Sequence, residues 1–171
     1  MISHTLPDGF KPLPVLSSSS CFGCGSGNAL GLRMKFCSDG RSVASSLVVP
    51  EHLCGWRQVV HGGIVATILD EIMGWSAIYL MKKVALTKRL TVDYLKPTPV
   101  NQALFVEGRV ADQPDARHVV IQAAIHTPDN EISARSEGLF TLFPLDDPVS
   151  LGLLGPEMVG EIRTGFLLDQ T

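Results

Sequence analysis

Two strand patterns, one long apolar helix and four more strand patterns joined by brief turns predict an α+β chain. In it a single curved antiparallel sheet of about six strands wraps one central helix. Three observations carry this. The helical stretch that starts near Gly62 is apolar on nearly all sides, so it must be enclosed. The strands that follow it are separated by turns too short for parallel crossovers. The length, 171 residues, suffices for one domain with a full core and would leave two domains cramped.

Residues 1–20 are rich in Pro and Ser and are expected to form an extended arm. ALGLRMKF (29–36) alternates Leu30, Leu32, Met34 and Phe36 with small or polar residues, the period of a half-buried strand. Ser38-Asp39-Gly40 is a turn signal, and a second strand over 41–50 completes a hairpin. The helix comes next. After it, residues 86–97 place Leu90, Val92 and Tyr94 on one face and stop at Pro97-Thr98-Pro99. Further strands are expected over 103–112, ending at Gln113-Pro114-Asp115, over 117–127, closed by Pro128-Asp129-Asn130, and over 131–144. The folded domain is thus expected to span 21–144, with 145–171 as a C-terminal extension.

An apolar fraction of 45% with 18% charged residues describes an ordinary globular protein. A net charge of -3 gives no general attraction to nucleic acid or anionic membrane, so an anionic ligand must be held by local groups. Four cysteines and an N-terminal stretch without an export pattern point to a reducing, cytoplasmic setting. GIVATILDEIMGWSAIYLM is about as long as a membrane span. An acid at a span centre costs roughly 2.5–3.5 kcal/mol, and this run carries two, Asp70 and Glu71. It therefore reads as the buried helix of a soluble protein.

On that helix Ile64, Ile68, Ile72, Trp75 and Tyr79 form a bulky stripe, broadened by Val65 and Leu69. Asp70 lies on a different face, among Ala66, Thr67, Gly74 and Ala77, where a thin ligand or another backbone can come close. Glu71 sits nearer the stripe, either as helper to Asp70 or as partner to Lys82, Lys83 or a group on the sheet. His61-Gly62-Gly63 opens the helix. Unpaired N–H groups there suit an anion or a developing oxyanion, and the plainer alternative is a tight turn with a loop histidine. Gly62 and Asp70 are eight residues apart, about 12 Å along a helix. If both act on one carbonyl they must come from different subunits, which predicts a homodimer with sites at its interface.

His61-Gly62-Gly63, six further residues and Asp70, followed by LTKRLTVDYLKPTP, resemble the hotdog-fold acyl-CoA thioesterases. The similarity is to the branch of the phenylacetate-pathway (PaaI-like) enzymes and the human thioesterase-superfamily proteins. CFGCGSGNALGLRMKF also resembles the opening segment of many members. The resemblance implies the hotdog fold, dimers or dimers of dimers, and hydrolysis of an acyl-CoA thioester to free acid and CoA. It makes Asp70 the general base or nucleophile, the partner subunit's Gly62 N–H the oxyanion donor, and Thr87 an assisting hydroxyl. Where several relatives carry an Asn, this chain has Gly55, and Gln58 is a nearby amide. Simple alternation sets Thr87 on the face opposite Leu90, Val92 and Tyr94, which a bulge or the dimer seam must reconcile.

Substrate contacts are expected from His61, Gly63, Glu71 and Gln58, with Lys88 and Arg89 near the CoA phosphates. Coenzyme A enters as part of the substrate, and no separate cofactor is expected. Cys21-x-x-Cys24 is at most half of a four-ligand zinc site, so no metal is expected either. Nucleic acid and membrane are not expected partners. Two other functions fit the same pattern: an acyl-CoA-binding protein without hydrolysis, and a hotdog hydratase or dehydratase.

Overall fold

A computed structural model describes residues 8–17, 19–147, 152 and 154–167. Among the described residues, nine strands precede or follow one long helix: β1 (Lys11–Pro12), β2 (Cys37–Ser38), β3 (Ser42–Val48), β4 (Cys54–Trp56) and β5 (Val59–Val60), then α1 (Gly62–Met81). After it come β6 (Val84–Tyr94), β7 (Ala103–Asp115), β8 (His118–His126) and β9 (Ile132–Phe143), and a second helix, α2 (Pro156–Leu167). Seven strands form one antiparallel sheet in the order β1-β2-β3-β7-β8-β9-β6, and β4 and β5 form a small hairpin beside it. Because β6 pairs only with β9, its other edge is free among the described residues.

The sheet wraps α1, which packs against β3, β6, β7, β8 and β9. Ile68, Leu69, Ile72 and Met73 are fully buried in a core shared with Val43, Leu104, Ile121, Ile125 and Phe140. Helix and sheet approach most closely at Gly108. A Cβ there would lie 2.5 Å from Ser76 Oγ and 3.2 Å from the Ile72 carbonyl oxygen, so only glycine fits without displacement. Ser76 satisfies its buried hydroxyl by donating to that same carbonyl at 2.7 Å. α1 is long and apolar enough to cross a membrane, and in this fold 44% of that stretch is buried, where the sheet packs on it.

The four strands after the helix form close to where the sequence predicts them. Three details differ. Residues 29–36 are not a strand: Met34 and Phe36 are buried, but the ladder reaches only Cys37 and Ser38, and Leu30 is exposed. Here the backbone of Leu32 and Met34 donates instead to Phe22 and Gly23. The alternation reported burial but not pairing. β7 continues through Gln113-Pro114 to Asp115 with register shifts. Its other neighbour, β3, pairs only with Ala103 to Arg109, so the far end of β7 has a free edge and tolerates a proline. The β4–β5 hairpin is an addition that its two- and three-residue strands were too short to signal.

The segments flanking this body also pack on it. Leu13 and Leu16 are buried in the core cluster, and so is Ile162 of α2. The arm and α2 meet directly: a Cβ on Gly165 would lie 2.7 Å from Pro14 Cγ, and Ser17 donates to Glu161.

Candidate active site

The site is organised by an irregularity in β6. Leu90 pairs with Gly138 and Arg89 with Leu139, but Thr87 pairs with Phe140, leaving Lys88 as an extra residue. This β-bulge resets the alternation, so Thr87 shares the inner side with buried Phe140 instead of facing away. The Thr87 hydroxyl donates to Asp70 Oδ1 at 2.8 Å. One carboxylate oxygen is thereby oriented, while the described residues give the other no partner.

Asp70 and Thr87 stand on the wall of a cavity of about 230 Å³. Gly74 of α1 lies beside them, and the remaining wall is mostly apolar, from Trp75, Ile78, Val84 and Leu86. Leu154, Met158 and Ile162 close it from the C-terminal segment, and Leu16 from the arm. The volume lies below the roughly 300–1,000 Å³ of drug-sized pockets, too small for a whole nucleotide. A larger hollow of about 550 Å³, lined among others by Asp93, Arg109, Glu137 and Arg135, contains none of the expected site residues.

The start of α1 carries the other expected residues. His61 is the N-cap, and its Nδ1 accepts the Gly63 N–H at 2.9 Å. Gly63 is thus committed to capping. The Gly62 N–H has no acceptor among the described residues, and the Gly62 carbonyl accepts from Tyr94 Oη at 2.9 Å. Tyr94 ties the helix start to the far end of β6, a role that its place on one strand face did not disclose. At Gly55 a Cβ would stand 3.2 Å from His61 Cα and Cδ2, so any side chain there would press on the capping histidine.

Glu71 lines the same cavity but turns to the N-terminal loop, where the Cys21 thiol donates to its Oε1 at 3.0 Å. Burial, and then the Glu71 carboxylate, push the Cys24 thiol well above its ordinary value. The grouping of Cys21, Cys24 and Glu71 joins positions 50 residues apart and had no signature in the sequence beyond the Cys pair itself. The remaining expected contacts lie elsewhere. Gln58 is exposed at the β4–β5 turn with φ 65°, and Arg89 points away from the cavity with Leu139. Lys88 approaches His118 Nε2 at 3.4 Å.

Comparison with known proteins agrees with this architecture. Residues 57–133 match the thioesterase superfamily. The rat acyl-coenzyme A thioesterase THEM4 is 28% identical over 100 residues, which is 58% of this chain and 42% of that protein. The chain therefore spans less than half the length of this curated relative. A solved thioesterase superfamily protein is 30% identical with a TM-score of 0.65, over 71% of this chain and 60% of the other. The E. coli PaaI protein of the phenylacetic acid degradation operon superposes with a TM-score of 0.59 at 18% identity, over 66% of this chain and 80% of that one. A sheet closed around one helix, with the HGG-to-Asp70 segment at its centre, is the fold this chain shares with these solved proteins, and its residues 57–133 are similar to the thioesterase superfamily.

Proposed function

We propose that this protein is an acyl-CoA thioesterase that works as a homodimer or higher homo-oligomer with sites at the subunit interface. The observation that carries the reading is the Asp70 carboxylate, held by Thr87 at 2.8 Å on the wall of a mostly apolar cavity. The name of the rat relative supports acyl-CoA as the substrate class. In this reading the acyl chain lies in the cavity, and the CoA moiety extends outward from Asp70 and Thr87.

Hydrolysis then needs few groups. Asp70 accepts a proton from a water molecule as that water attacks the thioester carbonyl carbon, or attacks directly and is released by water in a second step. The negative charge that develops on the carbonyl oxygen is met by the Gly62 N–H of the partner, at the positive end of α1. As the C–S bond breaks, the CoA sulfur leaves with the electron pair and takes up the proton. Thr87 holds Asp70 in one rotamer and leaves the second oxygen for the reaction. The free β6 edge beside the site, with Leu86 and Tyr94 exposed, suits pairing with a second copy.

Thiol release measured across short, long and aromatic acyl-CoAs tests the reading. Wild type is expected to turn over part of the panel, and Asp70→Asn to lose about 10²–10⁴ in kcat while keeping its fold. Tight acyl-CoA binding with no thiol release from any substrate would leave a binding protein instead. Unchanged turnover in Asp70→Asn would remove the carboxylate from the mechanism.

A further inference from the structure

The loop that carries CFGC is built onto Glu71. The ligand-type atoms of Cys21, Cys24 and Glu71 all lie within 4.8 Å of one another. Gly23 has no room for a side chain, since a Cβ would lie 2.1 Å from Glu71 Cγ, so the loop backbone rests directly on the glutamate. The Gly23 N–H also donates to Cys21 Sγ at 3.3 Å. A donor aimed at sulfur in this way helps to orient a cysteine ligand.

We propose that Cys21, Cys24 and Glu71 form a binding site for a zinc-class divalent cation, facing the cavity that also holds Asp70. Two thiolates and a carboxylate select a borderline-soft ion over magnesium or calcium. Three protein ligands with one open position make an accessible site, whereas a purely structural zinc takes four. The sequence offered only two ligands in a row, and the fold supplies the third from α1. Typical zinc–sulfur and zinc–oxygen bonds in a tetrahedron set sulfur and oxygen ~3.6 Å apart. The present 3.0 Å thiol-to-carboxylate hydrogen bond therefore needs only a small opening to admit the ion. The ion ties the N-terminal loop to α1 and brings a positive charge beside the candidate catalytic carboxylate.

The test is metal content, read without reference to turnover. The full chain, purified reduced and without a polyhistidine tag, is titrated with zinc and separately with cobalt(II). One equivalent per chain is expected, with a thiolate-to-cobalt charge-transfer band in the near ultraviolet. Cys21→Ser, Cys24→Ser and Glu71→Gln should each lose stoichiometric binding, while Cys37→Ser and Asp70→Asn keep it. A folded wild-type chain that takes up no cobalt overturns the proposal whatever the variants do. So does a Cys21→Ser or Glu71→Gln protein that binds cobalt with the wild-type spectrum. Either result leaves the thioesterase reading untouched, because Asp70, Thr87 and Gly62 are not among the ligands.

Discussion

At the scale of single residues, Gly62 and Gly63 look equivalent in the sequence and are not equivalent in the fold. Gly63 donates to His61 Nδ1, while the Gly62 N–H is left without an acceptor among the described residues. That difference permits a substitution that removes one hydrogen and little else. Gly62 is the first residue of α1, the position at which a helix accepts proline best. The preceding His61 already has φ −58° and ψ 136°, the extended conformation a following proline demands. A Cβ at Gly62 meets Tyr94 at 3.6 Å, an ordinary contact. Gly62→Pro is therefore expected to fold normally and to lose about 10²–10³ in kcat, the usual effect of deleting one oxyanion donor. Full activity in a folded Gly62→Pro protein, measured by thiol release, would take the oxyanion role away from Gly62. Helix periodicity put the glycines at a helix start and Asp70 two turns along it, and α1 has them so, while their pairing as a motif came from the family resemblance. The N–H that remains free depends on a histidine rotamer, which periodicity does not encode.

At the scale of elements, the decisive pieces are the β6 bulge and α2. Alternation alone sends Thr87 away from Asp70, and one extra residue, Lys88, turns it inward. A bulge leaves no compositional trace in LTKRLTV, so the sequence could pose the conflict but not resolve it. The same limit applies to residues 29–36, whose period of two reports a buried side only, and to Glu71, whose thiol partners come from a distant loop. α2 presents Met158 and Ile162 to the cavity, next to Leu154. It therefore acts as a gauge of acyl length in the proposed reaction. Each methylene that gains room contributes about 0.8 kcal/mol, or roughly fourfold in kcat/KM. Met158→Ala should shift the preferred acyl-CoA to a longer chain and Met158→Trp to a shorter one. Identical chain-length profiles in the two variants would show that the acyl group lies elsewhere.

At the scale of the whole molecule, the two halves of the site sit two turns apart on one helix, with α1 anchored at one end by Tyr94 and bridged further along by Thr87. A shared site makes a specific demand on mixed oligomers. Gly62→Pro and Asp70→Asn subunits, each inactive alone, should form hybrids with one intact and one doubly damaged site, and thiol release should return on mixing. No recovery, with subunit exchange confirmed by mass, would count against an interface site. The enclosure of α1 also bears on how the chain is made. The helix is complete at Met81, but the strands that cover it extend to Phe143. At ~5–20 residues per second the ribosome needs about 3–12 s to deliver them. During that interval a segment as apolar as a membrane span has, of the long strands that enclose it, only β3 available. The newborn chain is then most exposed to wrong insertion or clumping, and chaperones that recognise apolar helices have their opening before β9 closes the sheet.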